Sequence, residues 1–87
     1  MQKTERLYYT DCYLREFEAT ILGAQPEGDR VRVYLDRTAF YPDSGGQPSD
    51  FGTISGIAVR EVIDEGGTVA HVLDREPKTD RVTGSID

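Results

Sequence analysis

The stretch RVRVYLD, residues 30–36, is the clearest guide to the fold. Val31, Val33 and Leu35 alternate with Arg32 and Tyr34, the period of two that turns one face of a strand to a core and the other away from it. Just upstream, Phe17, Ala19 and Ile21 share one parity while Glu16, Glu18 and Thr20 share the other, so a second half-buried strand begins at about Phe17. Between the two lies GAQPEGD, punctuated by Pro26 and Gly28, which reads as a turn. A connection of about six residues is too short for a parallel crossover, so the pair is expected to be an antiparallel hairpin.

Downstream the same grammar repeats. TISGIAVREVID, residues 53–64, sets Ile57, Val59 and Ile63 on one parity and Ala58 and Val62 on the other. Glu61 intrudes on the apolar parity and marks either a bulge or a solvated strand end. The tight turn DEGGT and the run VAHVLD complete a second hairpin over residues 57–73, and RVTGSID closes the chain with Val82 and Ile86 in phase. Leu7, Tyr8 and Tyr9 form an apolar knot near the start, after which Thr10 or Asp11 caps a single helical turn running to Leu14. No amphipathic helix of ten or more residues can be placed. Five or six short strands separated by Gly, Pro and Asp turns predict an all-β fold, a small closed or nearly closed antiparallel β-barrel, with an open sandwich as the alternative.

Length and composition bound what such a chain can do. Its 87 residues fit one domain, and a chain of this size withdraws only about 60 to 65 per cent of its unfolded surface into a core. Ten basic and 16 acidic residues give a net charge of −6, the wrong sign for a free-standing nucleic-acid module. No run approaches the roughly 20 apolar residues of a membrane-spanning helix, and the start MQKTERLYY lacks a signal-peptide core. A single cysteine, Cys12, excludes an intrachain disulfide and reads as an inert turn residue. A cytoplasmic location with no membrane partner is the expectation.

Catalytic and metal-binding patterns are missing. Cys12 and His71 are the only Cys and His, so the usual ligands of a zinc site cannot be assembled and no cofactor is expected in this chain. His71 shares the parity of Val69 and Leu73 and reads as a partly buried sheet residue whose ring nitrogen is satisfied by a neighbour. No carboxylate pair is held at the spacing of a hydrolytic dyad. The glycines fit neither GxxxxGK[ST] nor GxGxxG.

One segment remains, DRTAFYPDSGGQPSDFG, residues 36–52, which interrupts regular structure. Asp36, Thr38, Phe40, Tyr41, Pro42, Gly45, Gly46, Gln47, Asp50 and Gly52 together resemble the DxTxFYPxxGGQxxDxG signature that opens the editing module of alanyl-tRNA synthetases and of the free-standing AlaX-type editing hydrolases. The flanks YYTDCYLREFEATIL and VAHVLDREPKTDRVTGSID resemble that module too, so the likeness covers nearly the whole chain.

The resemblance implies a single domain over residues 1–87, the N-terminal barrel of an editing module, with a fold like domain II of translation factors. It implies a parent that deacylates tRNA for alanine mischarged with serine or glycine. It also implies a following α/β catalytic domain, absent here, that holds zinc and contacts tRNA. This chain lacks the HxxxH and Cys/His ligands of that domain and is expected to be inactive alone. With the motif so close to Met1, the free-standing hydrolase is the expected parent. An internal piece of a full synthetase, a ligase, is the alternative, as is a non-catalytic binding or structural barrel.

Roles follow from the same likeness. Thr38 would bond the serine hydroxyl of a mischarged substrate, against a packing role at the barrel rim. Gly45 and Gly46 would supply positive φ or close backbone approach, against a plain tight turn. Gln47 would present its amide to the tRNA end or the partner domain, against an ordinary loop role. Phe40, Tyr41 and Pro42 would form a hydrophobic plug that meets the next domain. Asp36, Asp50 and Gly52 would fix the ends of the segment. The final strand, read as an exposed edge, offers a route to dimerisation.

Overall fold

The structure is a computed structural model that describes residues 3–11, 13–42 and 50–87. Its strands in chain order are β1 Glu5–Arg6, β2 Glu16–Glu27, β3 Arg30–Leu35, β4 Arg37–Thr38, β5 Gly52–Ile54, β6 Ile57–Asp64, β7 Val69–Leu73 and β8 Arg81–Ile86. Six of them close a barrel in the order β2-β3-β7-β6-β5-β8 and back to β2, every pairing antiparallel. The all-β antiparallel barrel is therefore observed, in its closed form, and the open sandwich is excluded. β1 and β4 lie outside the barrel as a short parallel pair.

The first hairpin is tighter than its sequence suggests. β2 does not stop before GAQPEGD but runs on to Glu27, pairing Ala24 with Val33 and Pro26 with Val31, and only Gly28 and Asp29 turn. Proline is tolerated because β8 pairs with β2 only from Glu16 to Thr20, leaving the far half of β2 with one free edge. A register shift between Ile21 and Gly23 bends the strand where it changes partners.

A second irregularity settles the ambiguity at Glu61. β6 carries a register shift between Val59 and Glu61, which moves the inward parity so that Val62 rather than Ile63 joins Ile57 and Val59 in the core. Glu61 is left on the exposed face. A further hairpin, β5–β6, turns through Ser55 and Gly56 with φ of 51° and 78°, the two positive values of a type I′ turn. Near the N-terminus the helical element is a 3-10 turn at Leu7–Tyr9, earlier than expected; Asp11 instead accepts the Tyr13 amide at 3.0 Å and Thr10 caps back to Leu7. Cys12 lies outside the described residues.

Interior positions hold Phe17 and Ala19 from β2, Val31, Val33 and Leu35 from β3, Val69 and Leu73 from β7, and Val82 and Ile86 from β8. Gly84 sits between the last two, and a Cβ there would lie 2.4 Å from the Phe17 ring. The final strand is not an exposed edge: β8 is bonded to β2 on one side and to β5 on the other. The expected route to a dimer through that strand is corrected accordingly, since barrel closure has already used its hydrogen bonds.

The packing of Gly84 predicts that Gly84→Ala destabilises the domain by about 1–3 kcal/mol through overpacking, measured by urea unfolding as a lower midpoint, with much of the loss recovered in Gly84→Ala/Phe17→Leu. The turn predicts that Ser55→Asn raises stability by about 0.5 kcal/mol, because asparagine tolerates positive φ better than serine.

Candidate functional site

The segment after β3 is seated from inside the barrel. Asp36 accepts the Thr20 amide at 2.8 Å through Oδ1, while its own amide donates to Thr20 O and its carbonyl accepts from Glu5. This ties the start of the segment to β2 and β1 at once. Thr38 and Phe40 then have no exposed surface, and Pro42 is also buried. Phe40 packs edge-on to Phe17 and to His71, with ring centroids 5.8 and 5.7 Å apart, so it is a plug within the core and has no face to offer a partner. Tyr41, 47% exposed, is the member of the trio that reaches the surface.

Both ends of the 41–50 excursion are tied together. Tyr41 N–H donates to Asp50 Oδ2 at 3.0 Å, and Asp50 N–H donates to Tyr41 O at 3.0 Å. Gly52 begins β5 so close to β8 that a Cβ would come within 2.0 Å of Ser85 O, which excludes every other residue without backbone movement. Gly45, Gly46 and Gln47 lie outside the described residues.

The buried polar centre of the domain is a chain of hydrogen bonds through His71. Its Nδ1 lies 3.2 Å from Val33 O, a group that can only accept, so Nδ1 carries the proton. In the neutral ring Nε2 is then an acceptor and takes the Thr38 hydroxyl proton at 2.8 Å. Thr38 Oγ1 in turn accepts Phe40 N–H at 3.1 Å. Complete burial, only partly offset by the Val33 carbonyl, pushes the His71 pKa down to about 4. The expectation of a partly buried histidine is thus exceeded: both ring nitrogens are bonded and the ring is enclosed. Thr38, expected to meet a substrate hydroxyl, has its own hydroxyl committed on both sides.

Tyr41 and Asp50 also border a surface groove of about 260 Å³ whose other walls include Tyr8, Leu14, Arg15 and Ile86. The Tyr8 ring packs edge-on to Tyr9 and tilted against Tyr41, with centroids 4.9 Å apart in both pairs. Its approach is fixed by Arg6, which reaches the Tyr8 hydroxyl at 3.1 Å and grips Asp64 with two bonds of 2.9 and 3.0 Å. The Arg6 bonds, helped by the Gly66 amide, hold the Asp64 carboxyl down at about 2. Sequence reading missed the part played by Tyr8 and Arg15; three apolar residues in an otherwise polar lead-in were the available signal. Among the described residues no group of three His, Cys, Asp or Glu side chains could hold a metal ion, and no helix is long and apolar enough to cross a membrane.

A histidine whose folded pKa lies below its ordinary 6.5 stabilises the fold fully above pH 6.5 and loses that contribution as pH falls toward 4. The total is on the order of 3 kcal/mol. Urea unfolding across pH 7 to 4 is expected to show this loss in the unmodified chain and a shallower slope in His71→Gln; parallel curves would remove His71 as the cause. Losses tied to Asp64 follow at lower pH, as its carboxyl protonates near 2.

Comparison with known proteins adds independent evidence. The family model described as "tRNA synthetases class II (A)" matches residues 2–87. The alanyl-tRNA editing protein AlaX-L of Pyrococcus horikoshii is 50% identical over 72 residues, covering 78% of this chain and 18% of the relative. AlaX-M of Methanosarcina mazei is 42% identical over 102 residues, covering 97% of this chain and 38% of the relative. The alanine-tRNA ligase of Ignicoccus hospitalis is 43% identical over 89 residues, covering 97% of this chain and 9% of the relative. The chain thus spans well under half the length of each of these relatives. With the closed barrel and the signature segment, these matches establish that the chain belongs to the class II (A) tRNA synthetase family and that its barrel is homologous to the AlaX-type alanyl-tRNA editing proteins.

Proposed function

We propose that this barrel is one half of an aminoacyl-tRNA editing module, whose parent hydrolyses the ester of tRNA for alanine mischarged with serine or glycine. One observation carries the reading: nearly the same residues match both free alanyl-tRNA editing proteins and an alanine-tRNA ligase. Both kinds of relative match this chain over 97% of its length, so the reading holds for either parent. The site of action is the cytoplasm, where aminoacylated tRNA is used.

Within this reading the barrel supplies a wall and not the reacting groups. Zinc, which the resemblance implies for the module, does not fit the described residues: both nitrogens of the enclosed His71 are bonded, and no other set of ligands converges. No hydrolytic step is routed through a metal on this chain. Discrimination is the more natural task, because serine and alanine differ by one hydroxyl, and a site built to bond that hydroxyl leaves polar groups unpaired when it is missing.

Gly45, Gly46 and Gln47 are the proposed substrate-facing residues, carried between the clamped ends Tyr41 and Asp50. Thr38 serves the same wall from beneath through its bond to Phe40 N–H. Tyr41, with Tyr8 beside it, forms the proposed docking surface for the rest of the module. Transfer RNA is engaged by the intact protein, in keeping with the acidic charge of −6 on this part.

The test is a replacement. AlaX-M of Methanosarcina mazei, with its matched segment exchanged for this chain, is expected to release serine from serine-charged tRNA for alanine within about tenfold of the unmodified relative. The 87 residues alone are expected to leave the ester at its spontaneous rate. A folded but inactive hybrid, or turnover by the isolated chain, overturns the proposal.

A further inference from the structure

His71 is an expensive residue for its place. It occupies an inward position of β7 between Val69 and Leu73, where an apolar side chain would fill the space without desolvating two ring nitrogens. Its hydrogen bonds indicate what it is there to do. Beyond β4 the chain leaves the sheet, and two successive amides are received by side chains: Phe40 N–H by Thr38 Oγ1, and Tyr41 N–H by Asp50 Oδ2. The second acceptor is a carboxylate with no hydrogen to misdirect. The first is a hydroxyl, which could turn its proton toward the Phe40 amide and repel it.

Nε2 of His71 removes that freedom. With Nδ1–H committed to Val33 O, Nε2 has only a lone pair to offer and holds the Thr38 proton on the far side from Phe40. We propose that His71 is a positioning residue for the rim of the substrate wall: by taking the Thr38 hydroxyl proton it aims the oxygen at the Phe40 amide and sets where Tyr41 leaves the barrel. The inference rests on the editing reading, in which Thr38, Phe40 and Tyr41 belong to the wall beside the substrate. It assigns to β7, more than 25 residues further along the chain, control over where Tyr41 leaves the barrel, through Val33, His71, Thr38 and Phe40 in turn.

The experiment uses the intact natural protein that carries these residues, with three variants. His71→Phe fills the space without an acceptor, His71→Gln keeps an acceptor, and Thr38→Val removes the hydroxyl. Nitrogen-15 NMR of the unmodified protein is expected to find the His71 proton on Nδ1, and a proton on Nε2 instead overturns the proposal. Hydrogen exchange is expected to speed up at Phe40 and Tyr41 in His71→Phe and Thr38→Val, but not at Leu35 in the sheet. Release of serine from serine-charged tRNA for alanine is expected to lose about tenfold in kcat/KM in His71→Phe and to stay within about threefold in His71→Gln. His71→Phe combined with Thr38→Val should lose no more than the worse single variant, because both break one relay.

Unchanged turnover in His71→Phe, or an equal loss in His71→Gln, overturns the positioning role. Should His71→Phe fail to fold, the tautomer and the His71→Gln exchange and rate data decide alone. Should the unmodified protein release no serine at all, the editing reading fails, while tautomer and exchange still accept or reject the relay.

Discussion

Closure of six short strands into one ring is the constraint on which the rest of the structure depends. A barrel this small has room for a single set of inward side chains, and the packing is tight at two strand glycines: a Cβ at Gly84 would press on the Phe17 ring, and one at Gly52 would run into the backbone of β8. Closure also demands bends, which are supplied by the register shifts in β2 and β6. The shift in β6 reverses which parity faces inward, from Ile57 and Val59 to Val62, so that irregularity is part of the packing.

Much of this was legible in the sequence and some was not, for reasons that differ by element. β3, β7 and β8 alternate cleanly or run apolar between turn residues, and their limits follow. The sequence ends β2 too early because Pro26 is ordinarily a breaker; only its position beyond the reach of β8 lets it stay in a strand, and that is a tertiary fact. Val62 and Ile63 could not be sorted without the shift ahead of them. The Ser55–Gly56 turn was hidden inside an apolar run, since serine seldom adopts positive φ.

For the candidate site, the motif positions were visible but their division of labour was not. Residues at 36–42 look like a loop in sequence, yet Thr38 and Phe40 turn inward and use the barrel interior as their anchor. Nothing local to Thr38 announces a histidine 33 residues further on as its partner. The sequence pattern around His71 points to a satisfied sheet histidine, which describes its chemistry without naming the group it serves. Pairing across the barrel is decided by register, and register is the least local property of a sheet.

The place of β8 has a consequence for how the domain is made. Residues 16–20 of β2 pair with residues 81–85 of β8, so the ring lacks its seam until almost the whole domain has left the ribosome. The β2–β3 and β6–β7 hairpins can form as soon as each is synthesised, because their turns are local. Between those events and the arrival of β8, the Phe17 edge stands open, a window in which a neighbouring nascent chain can pair with it. Slow decoding before residue 81 would lengthen that window, and rapid decoding through β8 would shorten it.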